Sequence, residues 1–138
     1  MIYSGRNGRH FSAACLNTLL LSAALISAAS SASAQDPELE KGKTIYNGIG
    51  ACAGCHGATG AGDGPAGAAL TPKARSFITA DYKYDTDGDG KIGTEADIAN
   101  IIGNGAQKYG GSMFMVGRPD ISEADRKAVA KYILSLKK

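Results

Sequence analysis

The chain has 138 residues, which is about the length of one domain. Its 19 glycines and its lack of tryptophan indicate long loops and a small aromatic core. The formal net charge is +2, and Arg6 and Arg9, both in the first 34 residues, account for the excess. Residues 35–138 are therefore formally neutral. This balance excludes the basic surface that a nucleic-acid partner would need.

The first 34 residues have the pattern of a secretory signal peptide. A basic start is followed by an apolar stretch and then by small residues that end at Ala34. We expect cleavage after Ala34, export to the periplasm and a mature domain of residues 35–138. A retained membrane anchor is the alternative. It would need about 20 strongly apolar residues, but here Asn17 and Thr18 interrupt a shorter run.

Three segments have the capping and apolar patterns of helices, starting at Asp36-Pro37, at Thr94 to Asp97 and at Ser122 to Asp125. No segment alternates like a strand, so we predict an all-α domain with three or more helices and long glycine-rich loops. The apolar side chains expected to face the core are Leu39, Ile45, Tyr46 and Ile49 in the first helix, Ile98, Ala99, Ile101 and Ile102 in the second, and Ala128, Val129, Tyr132, Ile133 and Leu136 in the last.

The pentapeptide Cys52-Ala53-Gly54-Cys55-His56 is typical of covalent haem attachment. Two cysteines three positions apart can direct both thiols to the vinyl groups of one haem, and His56 can then bind the iron. Residues 35–138 contain no other cysteine or histidine, which is too few for a four-ligand zinc site. A thioredoxin-like pair would need a βαβ setting, and a plain disulfide leaves His56 without a role. We therefore expect one covalent haem c, which would also fill a core with few apolar residues.

The ligand on the other side of the iron can be narrowed by elimination. After residue 34 no second histidine remains, and the methionines are Met113 and Met115. Both lie in a glycine-rich loop before the last helix, although methionine is also a common core filler. Histidine with methionine raises the reduction potential and closes the iron to substrates, which favours electron transfer over oxygen chemistry.

Residues 35–138 resemble the class I c-type cytochromes. The resemblance implies the cytochrome c fold, in which the first and last helices cross closely beside the haem. Gly42 would permit this approach, with Tyr46 and Tyr132 as packing residues. The matching features are Gly42-x-x-x-Tyr46, Cys52 to Gly57, Gly60 to Pro65, Pro72 to Phe77, and Val129-x-x-Tyr132-Ile133-x-x-Leu136.

The same resemblance implies two further roles at the haem. The carbonyl of Pro65 would accept a hydrogen bond from the ring N–H of His56 and so orient the imidazole. The Gly-Gly-Ser-x-x-Met pattern would select Met115, with Met113 as the alternative, as the distal ligand. This loop lacks the Met-Pro sequence that is commoner in such cytochromes.

An acidic loop beginning at Asp85 matches the first eight positions of an EF-hand calcium loop. Position 12, which should be glutamate, is Ala96. Two interpretations stay open, a calcium site and a solvated acidic turn that leads into a capped helix. The calcium interpretation would draw on Asp85, Asp87, Asp89, Lys91, Glu95 and Asp97.

These features together predict an electron carrier between redox protein partners in the periplasm, and not an enzyme. One alternative is a cytochrome subunit of a dehydrogenase or oxidase complex. Another is a haem enzyme or gas sensor with a labile methionine, which the absence of a spare histidine or acid–base pair disfavours. A neutral surface predicts short-lived, fairly apolar contacts around the haem edge.

Overall fold

The computed structural model describes residues 36–138, so the predicted signal peptide lies outside the described residues. This part of the chain contains four α-helices, one 3₁₀ turn and no strand, which confirms the all-α prediction. No helix within it is long and apolar enough to cross a membrane. The helices are α1 (Pro37–Asn47), α2 (Ala53–His56), α3 (Glu95–Asn104) and α4 (Glu123–Ser135), with the 3₁₀ turn at Gln107–Tyr109.

The three predicted helix starts are confirmed by their caps. The Asp36 carboxylate accepts a hydrogen bond from the backbone of α1. Thr94 caps α3 in a capping box with Asp97. The Ser122 hydroxyl accepts from the N–H of Asp125 at 3.2 Å. Each cap satisfies a backbone donor that the first turn of a helix leaves without a partner.

Helices α1 and α4 cross in close contact at Gly42, which is buried. A Cβ atom at Gly42 would collide with the backbone carbonyl of Ala128, so no larger residue fits this crossing. Beside it the rings of Tyr46 and Tyr132 pack edge to face with their centroids 5.3 Å apart. The close approach and the two packing tyrosines agree with the expectation drawn from the resemblance.

The core lies where α3 and α4 pack together and where α1 crosses α4. Ile49 was expected to belong to this core, and that expectation is wrong, because its side chain is 74% exposed. The reason is that α1 ends at Asn47, so Ile49 no longer follows the buried face of the helix. The buried apolar side chains are Ile45, Tyr46, Phe77, Ile98, Ala99, Ile102, Ala106, Ile121, Ala128, Val129, Ala130, Tyr132 and Ile133.

Candidate haem site

The short helix α2 carries the cysteine–histidine motif. Cys52 lies at its N-terminal end, and the N–H of His56 donates to the Cys52 carbonyl at 2.9 Å. The Cys52 and Cys55 thiols are both free and half-buried, so the two cysteines do not form a disulfide bond in this structure. Burial raises the pKa of the Cys52 thiol, although the nearby Arg118 acts in the opposite direction. Because neither thiol is in a disulfide, both are available for thioether bonds.

The imidazole of His56 is buried and oriented from two sides. Its Nδ1 atom lies 2.9 Å from the carbonyl oxygen of Arg75, and its ring stacks on Phe77 with centroids 4.4 Å apart. A carbonyl can only accept, so Nδ1 donates the proton and Nε2 is left to bind a metal. Burial lowers the pKa of His56, despite the Arg75 carbonyl that favours the charged form. The ring is thus neutral, as iron ligation requires.

The carbonyl paired with the His56 ring is that of Arg75, whereas the expected one was that of Pro65. The backbone on either side of Pro65 is held against α2, since the N–H groups of Gly64 and Ala66 donate to the carbonyls of Cys55 and Gly54. Pro65 itself is exposed. The carbonyl beside the imidazole comes from Arg75, which lies 19 positions after His56. Arg75 belongs to the segment from Pro72 to Phe77, which is one of the features shared with the class I c-type cytochromes. That shared pattern does not indicate that the Arg75 carbonyl orients His56.

A cavity of about 520 Å³ adjoins α2, which is within the usual size range of cofactor pockets, about 300–1,000 Å³. Its wall includes Cys52, Cys55 and His56, and also Met115 from the loop before α4. Met113 does not line the cavity, and its side chain is 64% exposed. The structure therefore brings Met115, and not Met113, to the cavity that His56 also lines.

Polar groups on another part of the wall suit the carboxylates of a haem. The hydroxyl of Tyr82 is buried and has no hydrogen-bond partner among the described residues. Burial raises the pKa of Tyr82, so this hydroxyl keeps its proton and can donate. Four basic side chains, Lys73, Arg75, Lys83 and Arg118, line the same cavity. With two thiols, a neutral imidazole and a thioether sulfur, the residues present fit a covalently bound haem.

The loop that carries Met115 is attached to the end of α3. The N–H of Ala106 donates to the Met115 carbonyl at 3.0 Å, and the N–H of Gly111 donates to the Ala106 carbonyl at 2.8 Å. Further along, the N–H of Arg118 donates to the Ile102 carbonyl at 2.7 Å. These backbone bonds define the path of the loop past the cavity.

The acidic loop brings together three of the six predicted calcium ligands. Carboxylate oxygens of Asp85, Asp87 and Asp89 lie within 4.8 Å of one another. The exposed Lys91 ammonium lies 3.7 Å from an Asp89 oxygen. Glu95 is exposed in the first turn of α3, where a negative charge suits the helix dipole.

The carboxylate of Asp97, which the calcium interpretation would use, is buried and hydrogen-bonded within the chain. One oxygen accepts from the backbone and hydroxyl of Thr86, and the other accepts from the backbone and hydroxyl of Thr94. Burial opposes the charged form, but these hydrogen bonds together lower the pKa of Asp97. Asp97 therefore fastens the acidic loop to α3.

Residues 39–137 match the family model for cytochrome c. The chain belongs to the cytochrome c family. Membership implies a covalently bound haem c, and the Cys52-x-x-Cys55-His56 motif fits its attachment. It also implies haem-based electron transfer.

One solved structure similar to this cytochrome c is a chain of the "Kuenenia stuttgartiensis reducing HAO-like protein complex Kustc0457/Kustc0458", with 32% identity and a TM-score of 0.58. The similarity covers 71% of the present chain and 42% of that chain, so the present chain spans less than half of the structure it matches. A search of curated proteins found no match.

Proposed function

We propose that this chain is a periplasmic electron carrier, exported by cleavage after Ala34, with one haem c held by Cys52 and Cys55. His56 and Met115 would bind its iron. The observation that carries the proposal is the cavity, whose wall contains both thiols, the neutral imidazole and the Met115 side chain while Met113 lies outside it. A bound haem iron supplies one-electron redox chemistry at this place.

The residues of the chain hold, orient and shield the cofactor. The Arg75 carbonyl and the Phe77 ring fix the imidazole of His56, so its Nε2 lone pair has one direction. With both His56 and Met115 bound to the iron, no coordination site would remain open for a substrate, which favours transfer of electrons over catalysis at the iron.

Exposed apolar side chains beside the cavity support brief contact with redox partners. Phe114 and Val116 line the cavity and are 54% and 69% exposed. Met113 and Ile49, whose chain neighbours Phe114 and Gly50 line the cavity, are also exposed, and we call these four residues the apolar edge. A small apolar contact of this kind suits the weak, transient complexes of electron transfer, for which long-range charge steering is not required.

A subunit of a larger redox complex is the second candidate, and the similar structure favours it. That structure is described as a protein complex, and its chain is more than twice as long as the part this chain matches. The apolar edge would then lie in a permanent interface, which is usually larger and more apolar than a transient one.

Periplasmic extraction of the expressed chain tests the proposal. We expect a mature protein starting at Gln35 whose mass includes one haem that survives denaturation, and we expect Cys52→Ser with Cys55→Ser to abolish this attachment. The reduced protein should not bind carbon monoxide rapidly. Retention of residues 1–34, loss of haem on denaturation or rapid carbon monoxide binding would contradict the proposal. Co-purification with a stoichiometric partner would favour the subunit over the free carrier.

A further inference from the structure

The guanidinium of Arg118 connects two sides of the haem cavity. Its Nη1 donates to the Gly50 carbonyl at 2.8 Å, and its Nη2 donates to the Ile49 carbonyl at 2.9 Å. Arg118 comes three positions after Met115, and Gly50 comes two positions before Cys52. The side chain therefore links the loop with the distal sulfur to the segment with the first thiol.

Asp120 holds this guanidinium in place. Its two carboxylate oxygens accept from Nε at 2.9 Å and from Nη2 at 2.7 Å, which is the bidentate geometry that arginine favours. The backbone N–H of Arg118 is bonded to the Ile102 carbonyl. The Arg118 side chain is only 31% exposed, so its position is more restricted than that of a freely solvated surface arginine.

Within residues 36–138, the two Arg118 bonds are the hydrogen bonds that join the Met115 loop to the segment before Cys52. The backbone bonds of the loop described above run instead to the end of α3. Without Arg118 the loop would keep its attachment to α3 but lose its connection to the side of the cavity that carries Cys52.

We infer that Arg118 is a positioning residue that sets how firmly Met115 stays on the haem iron. This inference rests on the proposed His56 and Met115 ligation. Loss of two charge-assisted hydrogen bonds lets the loop move outwards, so an added ligand competes more easily with the methionine sulfur. We expect imidazole to bind the ferric protein at least about tenfold more tightly when Arg118 is removed.

The test compares ferric holoproteins of the wild type, R118Q, R118K and the control K131Q. Lys131 is a matched choice, because its ammonium joins α4 to Asp36 and Glu38 at 2.7 Å and 2.8 Å, away from the cavity. Two readouts are taken for each protein, the imidazole affinity and the weak far-red absorption band that marks methionine sulfur on ferric haem iron.

Weakening of the far-red band and tighter imidazole binding in R118Q, with an intermediate result for R118K and wild-type behaviour for K131Q, would support the inference. A band and an imidazole affinity in R118Q that equal those of K131Q would overturn it. If R118Q does not accumulate, R118K decides: wild-type affinity overturns the inference and tighter binding supports it. A wild-type protein without the band would instead contradict the proposed methionine ligation itself.

Discussion

The hydroxyl of Tyr46 donates a hydrogen bond of 2.7 Å to the carbonyl of Gly57, the residue directly after His56. Tyr46 is fully buried and also packs against Tyr132 of α4 and Phe77, which stacks on the imidazole. One side chain of α1 thus contacts the crossing helix, the Cys52–His56 motif and the ring that stacks on His56. The α1–α4 crossing and the haem site are therefore parts of one packed unit.

Tyr46→Phe should lower the free energy of unfolding by about 0.5–1.5 kcal/mol, because it removes a buried hydrogen bond while the Gly57 carbonyl keeps its bond from the N–H of Gly60. Denaturant unfolding of the holoprotein measures this change. Tyr109→Phe is the matched control, since its hydroxyl takes part in an exposed hydrogen bond with Asn104 and should matter little. Equal, small effects of the two substitutions would show that the hydrogen bond from Tyr46 to Gly57 does not stabilise the fold.

Gly42→Ala should lower the free energy of unfolding by about 1–3 kcal/mol, which is the usual cost of inserting a methyl group into a packed contact. The added methyl group would meet the Ala128 carbonyl, which belongs to helix backbone and cannot rotate away. Gly54→Ala is the control, since a Cβ there meets nothing within 4 Å. Thermal unfolding of both variants is the measurement, and an unchanged Tm for Gly42→Ala would show that the two helices do not cross this closely.

Asp97→Asn should cost about 2 kcal/mol or more near neutral pH. The amide NH₂ group of asparagine would face donors of Thr86 or Thr94, where the wild type has an accepting oxygen. Because the folded-state pKa of Asp97 lies below its usual value of 3.8, this stabilisation is complete above that pH and is lost as the pH falls through the folded-state pKa. Unfolding curves from neutral to acid pH should therefore converge for the two proteins, and a constant difference would contradict this role.

Calcium should not raise the Tm of the protein at millimolar concentration. Asp85, Asp87 and Asp89 lie together, but Ala96 stands where an EF-hand has its bidentate glutamate, and Asp97 is engaged with Thr86 and Thr94. A rise in Tm with calcium but not with magnesium, abolished in Asp87→Asn, would re-establish the calcium interpretation. The structure as described favours an acidic turn.

The features predictable from the sequence were those set by neighbouring residues. The caps at Asp36, Thr94 and Ser122 depend on groups within three positions, and Cys52 to His56 form a motif within one helical turn. A short pattern is enough in these cases, because the interacting groups lie on the same turn of backbone.

The contacts that the sequence does not reveal depend on where the long loops lie in the folded chain. Nothing in the local pattern of Arg75 indicates that its carbonyl lies beside His56, which is 19 positions away in sequence. The hydrogen bonds between Asp97 and Thr86 span 11 positions, so the local acidic pattern does not reveal them. The link from Arg118 to Gly50 spans 68 positions and is visible only in the folded chain. Glycine-rich loops have few periodic signals from which such contacts could be predicted.

Methionine ligation by Met115 is the central claim, and the ferric absorption spectra of Met115→Ala and Met113→Ala test it most directly. We predict that Met115→Ala loses the far-red band of methionine-bound iron and that its reduced form binds carbon monoxide rapidly. Met113→Ala should keep the band and stay closed to carbon monoxide, because Met113 is exposed and lies outside the cavity wall. Persistence of the band in Met115→Ala, or its loss in Met113→Ala alone, would contradict the account.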